Sequence, residues 1–247
     1  MLEINNLTQR FGSLEVTRGV TLKLDKGARH ALIGPNGAGK TTLINLLAGT
    51  LKPDSGRILL AGEDITALAP HMRARRGLGR THQINSLFPG LTPVEAVSMS
   101  IAQREGHALR FLRAGKLGAA IGEEARALLD SVGLAAYINR PTRELPYGQQ
   151  RLLEVALALA GNPKVLLLDE PVAGVSAAAS EQLFRLIDRL PEDLAILLIE
   201  HDMRLVFRFA HRITVLVGGA VLMEGSPQEI ATDPRVRAVY LGQRHAA

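Results

Sequence analysis

Short apolar runs separated by turns dominate the first third of the chain. They predict strands at Leu2 to Leu7, Gly19 to Leu24 and Ala28 to Ile33, the last of which leads into a glycine-rich turn. Arg57 to Ala61 and the polar residues 62–64 predict a further strand and its turn. With this strand and turn, we expect an antiparallel layer beside what should become a parallel sheet, and Ala28 to Ile33 implies a βα junction.

Helix-type and strand-type patterns alternate through the rest of the chain. Polar residues between Thr92 and Val132 are spaced as on helices, which predicts a helical subdomain. The elements predicted after it are a helix from Gly148 through Ala160, an apolar strand at Val165 to Leu168, a helix through Leu190 and an apolar strand at Ala195 to Ile199. Alternation of this kind predicts a buried parallel sheet.

Length and composition limit the number of domains and exclude several classes of protein. The 247 residues suffice for one substantial domain, or for a core with a smaller subdomain. The longest apolar runs, such as Ile213 to Met223, fall well short of the roughly 20 residues that cross a bilayer. The start, Met1 to Asn6, lacks the basic and apolar regions of a secretory signal, so we expect the chain to stay in the cytoplasm. The absence of cysteine excludes disulfides and thiolate chemistry.

The formal charge of +5 and the sequence pI near 9.9 raise the question of nucleic-acid binding. The basic residues are scattered, and their densest cluster comprises Arg73, Arg75, Arg76 and Arg80. That cluster has no interleaved aromatic residues and lies in no recognisable nucleic-acid module. We therefore expect no nucleic-acid partner and interpret the cluster as a solvated or membrane-facing surface.

One segment fits the eight-position phosphate-binding loop and lies between a predicted strand and a predicted helix. Its residues are Gly34, Pro35, Asn36, Gly37, Ala38, Gly39, Lys40 and Thr41. The glycines allow backbone N–H groups to approach phosphates, and Lys40 supplies a positive charge to the β and γ phosphates of ATP. The Thr41 hydroxyl is a predicted ligand of Mg²⁺.

Two carboxylates, Asp169 and Glu170, follow the apolar run Val165 to Leu168. This is the carboxyl edge of a predicted buried strand, where α/β sheets bind ligands. Taken alone, such a pair could simply cap the next turn. With the phosphate-binding loop present, we predict that Asp169 holds the Mg²⁺ shell and that Glu170 polarises the attacking water.

With these two motifs placed, nearly the whole chain resembles an ABC-type ATPase. The resemblance implies an α/β P-loop NTPase fold with a mixed sheet core, an N-terminal antiparallel β layer and a helical subdomain. It implies one ABC ATPase domain over residues 1–247, in which about 1–90 and 160–247 form the nucleotide-binding core and about 91–159 form the helical subdomain.

The same resemblance implies roles for several single residues. Phe11 occupies the place of an aromatic residue that stacks on adenine, and Thr42 joins the phosphate site. Gln83 occupies the place of a glutamine that touches Mg²⁺ and water and relays to the membrane partner. His201 matches a histidine that contacts the γ-phosphate.

A signature loop is implied at Leu145 to Gln150, and it reaches the nucleotide of a second subunit. Gly148 and Gln149 would contact that nucleotide in trans. The usual serine is replaced by Pro146, which removes a hydroxyl and a backbone N–H. The segment Ala173 to Ser176 also departs from the family, because it ends in serine rather than aspartate or asparagine.

Four segments resemble the ATPases of branched-chain amino-acid importers, in particular the longer of the two ATPases that those systems pair. They are Arg80 to Gln83, Tyr147 to Arg151, Ile199 to Met203 and Tyr240 to Gly242. The implied partners are a second ATPase, as a homodimer or heterodimer, two transmembrane permeases and, indirectly, an external solute-binding protein. The implied location is peripheral, at the cytoplasmic face of the inner membrane. The basic stretch at 104–116 faces either solvent or lipid.

Three alternatives stay open. A lipopolysaccharide-export ATPase shares a similar tail but usually carries a different signature and glutamine loop. A soluble ABC protein without a transport role typically has two ATPase halves or large insertions. A nucleotide-binding regulator with little turnover would suit Pro146, but Lys40, Asp169, Glu170 and His201 argue against it.

Overall fold

The computed structural model describes residues 1–81, 87–106 and 116–241. Within these ranges the strands are β1 (Leu2–Phe11), β2 (Leu14–Leu24), β3 (Arg29–Ile33), β4 (Ser55–Leu60), β5 (Glu63–Asp64), β6 (Leu78–Arg80), β7 (Val165–Asp169), β8 (Ala195–Ile199), β9 (Arg212–Val217) and β10 (Ala220–Gly225). The helices are α1 (Lys40–Ala48), α2 (Pro70–Arg75), α3 (Pro93–Arg104), α4 (Lys116–Ser131), α5 (Tyr147–Ala160), α6 (Ala177–Asp188), α7 (Met203–Phe209), α8 (Pro227–Thr232) and α9 (Pro234–Leu241). None of these described helices is long and apolar enough to span a bilayer.

The N-terminal strands form the predicted antiparallel sheet, in the order β2-β1-β4-β5. Leu2, Ile4 and Leu7 of β1 are fully buried. The strand continues beyond the predicted apolar run to Phe11, because its polar second half pairs with β2 up to the match of Phe11 with Leu14. Backbone pairing therefore extends this sheet further than the apolar pattern alone indicates.

The second sheet has the order β10-β9-β3-β8-β7-β6. Strands β9, β3, β8 and β7 are mutually parallel neighbours, and all five residues of β8 are buried. Such near-continuous apolar strands are typical of parallel sheets covered on both faces. The apolar run at 213–223 is not one element but the β9–β10 hairpin, which turns at Gly218 and Gly219. The mixed sheet and the antiparallel sheet confirm the predicted fold class.

Parallel pairing places the carboxyl ends of three strands at the same edge of the mixed sheet. Strand β3 leads to Gly34, β7 leads to Glu170, and β8 leads to His201. The crevice outside the carboxyl ends of the strands is where open α/β sheets bind ligands. This edge therefore determines where the candidate site lies.

The described chain divides into two compact units. The first comprises residues 1–78, 164–170 and the described residues from 191 onward, and it contains the antiparallel sheet and most of the mixed sheet. The second comprises the described residues of 79–163 together with 171–190, and it contains α3, α4, α5 and α6. The predicted organisation as one ABC ATPase domain stays a prediction.

Arg104 joins three helical segments of the second unit. Its guanidinium pairs with Glu124 of α4, with N–O distances of 2.8 and 3.0 Å, and donates to the Ala160 carbonyl at 3.0 Å. Hydrogen bonding to Arg104 lowers the pKa of the Glu124 carboxyl. The described part of the predicted helical segment between Thr92 and Val132 thus contains two helices, α3 and α4, which this arginine links to the end of α5.

Arg73, which the sequence placed in a surface cluster, is buried in the first unit. Its guanidinium donates to the carbonyls of Leu46 and Leu47, both at 2.6 Å, and to those of Leu68 at 2.9 Å and Thr66 at 2.8 Å. The first two carbonyls belong to the last turn of α1, where intrahelical partners run out. The expectation of a solvent-facing or membrane-facing side chain is wrong for Arg73, because these carbonyls bind its charge inside the protein.

Candidate active site

The phosphate-binding loop connects the end of β3 to the start of α1 and needs glycine because other backbone lies against it. A Cβ at Gly39 would lie 2.6 Å from the Val16 carbonyl oxygen, and one at Gly34 would collide with the Leu216 carbonyl oxygen. Gly39 also adopts φ 98° as it opens the helix. The loop is therefore confined by β2 on one side and by β9 on the other.

The start of α1 has the features of an anion site. Among the described residues, no side chain caps its N-terminus, so its first-turn N–H groups point beyond the helix. These N–H groups and the helix dipole together favour a phosphate. The loop glycines leave room for that phosphate to approach the backbone. Thr41 and Thr42 lie in this first turn, with Thr41 exposed and Thr42 half-buried.

Lys40 is half-buried and lies across the loop. Its Nζ donates to the Gly34 carbonyl at 2.7 Å and to the Pro35 carbonyl at 3.0 Å. Burial lowers the pKa of Lys40, and the charges of Glu170 and Asp169 oppose that change. The ammonium thus shares one electrostatic environment with the two carboxylates that end β7.

Asp169 and Glu170 lie at the carboxyl edge of the sheet, as predicted. Asp169 is the last residue of β7 and pairs with Ile199 of β8. Glu170 leaves the strand with φ 46°, and its N–H donates to the Ile199 carbonyl at 3.0 Å. A left-handed conformation at a residue other than glycine costs of order 1–3 kcal/mol and is concentrated at functional sites.

His201 follows β8 and lies near Glu170. Its Nδ1 is 4.0 Å from Glu170 Oε1 and 3.9 Å from Glu200 Oε2. Its ring is largely exposed, whereas the Glu200 side chain is fully buried and accepts the His201 backbone N–H at 3.2 Å. Glu200 is not among the site residues predicted from the sequence, although an acidic residue directly before the candidate histidine was the available signal.

The structure describes only some of the residues predicted to contact adenine and the metal. Phe11 ends β1 and is 49% exposed, so its ring is available for stacking. Gln83, assigned to catalysis and to the metal, lies outside the described residues. Within the described ranges, there is no group of three or more His, Asp or Glu residues that could hold a metal ion.

The signature residues belong to the second unit. Pro146 is the N-cap of α5, and Gln149 lies in the first turn, where its N–H donates to the Pro146 carbonyl at 2.9 Å. Gly148 is packed against α6, because a Cβ there would lie 2.8 Å from the Ala179 Cβ. The structure therefore places both predicted trans contacts, Gly148 and Gln149, in the first turn of α5.

A P-loop between a central strand and a helix, with two acids ending a nearby parallel strand, defines the class of P-loop nucleotide-hydrolysing proteins. Comparison with known families refines this class. The family described as "ABC transporter" matches residues 17–173, and the family described as "Branched-chain amino acid ATP-binding cassette transporter" matches residues 220–246. The chain belongs to the ABC transporter family and is one of its ATP-binding, ATP-hydrolysing subunits.

Individual relatives agree with this placement. The chain is 41% identical to the high-affinity branched-chain amino acid transport ATP-binding protein BraF of Pseudomonas aeruginosa, with 98% of each chain covered. A nucleotide-free ATP-binding cassette from an ABC transporter superposes with a TM-score of 0.86 and 30% identity over 97% of this chain and 98% of that one. A dimeric ATP-binding cassette bound to ADP and phosphate superposes with a TM-score of 0.78 and 25% identity, over 92% of this chain and 99% of that one.

Proposed function

We propose that ATP hydrolysis by this chain drives an importer of branched-chain amino acids or of related small polar or carboxylate solutes. The match of residues 220–246 to a branched-chain amino-acid transporter family and the near full-length similarity to BraF support this substrate class. The observation that carries the catalytic part is the convergence of Lys40, Asp169, Glu170 and His201 at one sheet edge.

Each of these side chains has a proposed task in phosphoryl transfer, which depends mainly on positioning and charge neutralisation. Lys40 and the first-turn N–H groups of α1 bind the phosphates, and Phe11 stacks on the base. Glu170 orients the attacking water and accepts its proton. His201 contacts the transferring phosphoryl group, and its position next to Glu170 supports this role. Gln83 completes the proposed set on the family pattern.

The residues present suit a magnesium ion. Mg²⁺ is usually bound through one or two carboxylates together with substrate phosphates, and it keeps several waters. The Asp169 carboxylate and the Thr41 hydroxyl supply oxygen ligands of this kind beside the phosphate-binding loop, and Gln83 is the third proposed ligand. When bound, the ion neutralises charge on the phosphates.

The proposed assembly pairs this chain with a second ATPase subunit, identical or related, beneath two transmembrane permeases. The first turn of α5, with Gly148 and Gln149, then faces the nucleotide of the partner. An external solute-binding protein delivers the solute, and the chain is peripheral at the cytoplasmic face of the inner membrane. Residues 1–247 act as one ABC ATPase domain, with a core at about 1–90 and 160–247 and a helical subdomain at about 91–159.

Purification from native membranes tests the assembly. The tagged chain should copurify with two polytopic membrane proteins and a second ATPase, identified by mass spectrometry. Reconstituted in liposomes with ATP on the side of this chain, the complex should take up leucine, isoleucine or valine when the associated solute-binding protein is present. The same complex carrying Glu170→Gln is the matched control and should not transport.

Two results would contradict the proposal. Copurification with lipopolysaccharide-export membrane proteins would show that the transported substrate is a lipopolysaccharide and not an amino acid. The assignment of the chain as an ATPase would stand. Recovery of soluble partners alone would indicate an ABC ATPase outside transport.

A further inference from the structure

Tyr147 connects two segments of the second unit that are distant in sequence. It is the first residue of α5, within the proposed signature loop. Its hydroxyl donates to the Ala173 carbonyl at 3.2 Å and accepts from Arg151 Nη2 at 3.2 Å. Ala173 belongs to the segment 171–176, which directly follows Glu170 in the chain.

Arg151 fixes the position of the tyrosine ring. Its guanidinium carbon lies 5.4 Å from the ring centroid, and its Nη1 pairs with Glu154 Oε2 at 2.9 Å. Both charged side chains are largely buried, with 11% of the Arg151 side chain and 4% of the Glu154 side chain exposed. Burial raises the pKa of Glu154 to about 7, which Arg151 opposes.

The buried pair is poorly suited to a purely stabilising role. Desolvation of two charges often outweighs their attraction. Within the described residues, Arg151 Nε and Glu154 Oε1 are buried without a hydrogen-bond partner. The pair does, however, hold Tyr147 from one side with a planar guanidinium that cannot rotate away without breaking the hydrogen bond and the ring contact together.

Close packing joins the same two segments at further points. A Cβ at Gly174 would lie 3.3 Å from the Tyr147 hydroxyl, so the segment approaches the ring closely. Gly148, next to Tyr147, packs against Ala179 in the first turn of α6. Ser176 caps that helix by accepting the Ala179 N–H at 3.3 Å. The start of α5, the segment 171–176 and the start of α6 are therefore in mutual contact.

We propose that Tyr147 is a positioning residue that makes the signature loop and the segment 171–176 move together through its bond to the Ala173 carbonyl. This inference rests on the proposed function, in which the signature loop contacts the partner's nucleotide and Glu170 serves the chain's own site. Tyr147 then transmits ATP binding at one site to the carboxylate at the other. The linkage makes hydrolysis cooperative, because a nucleotide bound at either site changes the geometry of both the signature loop and the segment 171–176.

Tyr147→Phe tests the linkage, because it removes the hydroxyl and keeps the ring under Arg151. The purified complex with its membrane partners is assayed for hydrolysis over a range of ATP concentrations. We expect the Hill coefficient to fall toward about 1, and the coupling between sites to weaken by up to about tenfold, the range of one net hydrogen bond. Any loss of thermal stability should stay within the range of that one hydrogen bond, so the deciding readout is the fall in the Hill coefficient, which a merely structural role would not predict.

Tyr137→Phe is the matched control, because Tyr137 lies in the same unit with Arg140 at 5.5 Å from its ring centroid. It should leave the Hill coefficient at the parent value. Arg151→Lys keeps the charge beside Glu154 but loses the planar contact with the ring, so it should reduce cooperativity as Tyr147→Phe does.

The outcomes separate this inference from the proposed function. If Glu170→Gln abolishes hydrolysis while Tyr147→Phe retains the parent Hill coefficient, or if the parent complex shows no cooperativity, the linkage is overturned and the ATPase site stands. If Glu170→Gln hydrolyses ATP like the parent, the proposed role of Glu170 fails, and the linkage to its carboxylate fails with it.

Discussion

Oε1 of Glu170 lies 4.0 Å from Nδ1 of His201, and the two residues follow neighbouring parallel strands, β7 and β8. Glu170 takes a left-handed backbone conformation with φ 46°. The strand register and this turn together direct a carboxylate and an imidazole to the same place. Their proximity supports the tasks that the family pattern implies for the two residues.

Glu170→Gln should reduce ATP hydrolysis by a factor of about 100 to 10,000, the usual contribution of a positioned general base. ATP binding should persist, because Lys40 and the start of α1 are unchanged. Phosphate release and size-exclusion chromatography with ATP measure the two properties, and we expect a stalled dimer. Glu192→Gln, at an exposed position, is the control. Parent-like hydrolysis by Glu170→Gln would show that another group activates the water.

Lys40→Ala should weaken ATP binding, because it removes the ammonium that lies across the phosphate-binding loop. Isothermal titration calorimetry with ATP measures the loss. Lys52→Ala changes an exposed lysine outside the site and should bind ATP like the parent. Equal affinity of both variants would refute the assignment of the loop.

Arg73→Met should lower the free energy of unfolding by about 2–4 kcal/mol, because four carbonyls lose their buried donor. Arg73→Lys should recover little of the loss, since one ammonium cannot reproduce the planar guanidinium fork. Urea denaturation measures both variants. Arg75→Met, exposed on the same helix α2, is the control and should change stability little. An equal effect at both positions would contradict the capping of α1 by Arg73.

His30 should make the protein sensitive to acid. Its Nε2 lies 2.8 Å from Thr214 Oγ1, and burial lowers its pKa to about 4. The unfolded chain binds a proton below about pH 6.5 and the folded chain does not until about pH 4. The contribution of His30 to the free energy of unfolding should therefore fall as the pH is lowered through this window, by up to about 3 kcal/mol, and stay level above it.

Unfolding of His30→Gln at several pH values isolates this contribution, which should disappear in the variant. His71→Asn changes an exposed histidine and should retain the pH dependence of the parent. Identical pH profiles for His30→Gln and the parent would place the acid sensitivity elsewhere.

The sequence predicted features that depend on local pattern, and it missed features that depend on packing. The buried strands β7 and β8 were evident as apolar runs, and the P-loop was evident because its chemistry restricts each position. The burial of Arg73 was not evident, because its partners are carbonyls, and backbone acceptors leave no signature in residue type. The contact of Tyr147 with Ala173 was missed for the same reason.

The order of the mixed sheet also determines when the site can form during synthesis. Strand β8 lies between β3 and β7, so the acids of β7 cannot take their place beside the phosphate-binding loop until β8 has joined both neighbours. A nascent chain that has left the ribosome only as far as β7 carries every residue of the P-loop and both acids, but not their arrangement. The arrangement of the P-loop with both acids therefore requires β8, a strand that is synthesised after all of these residues.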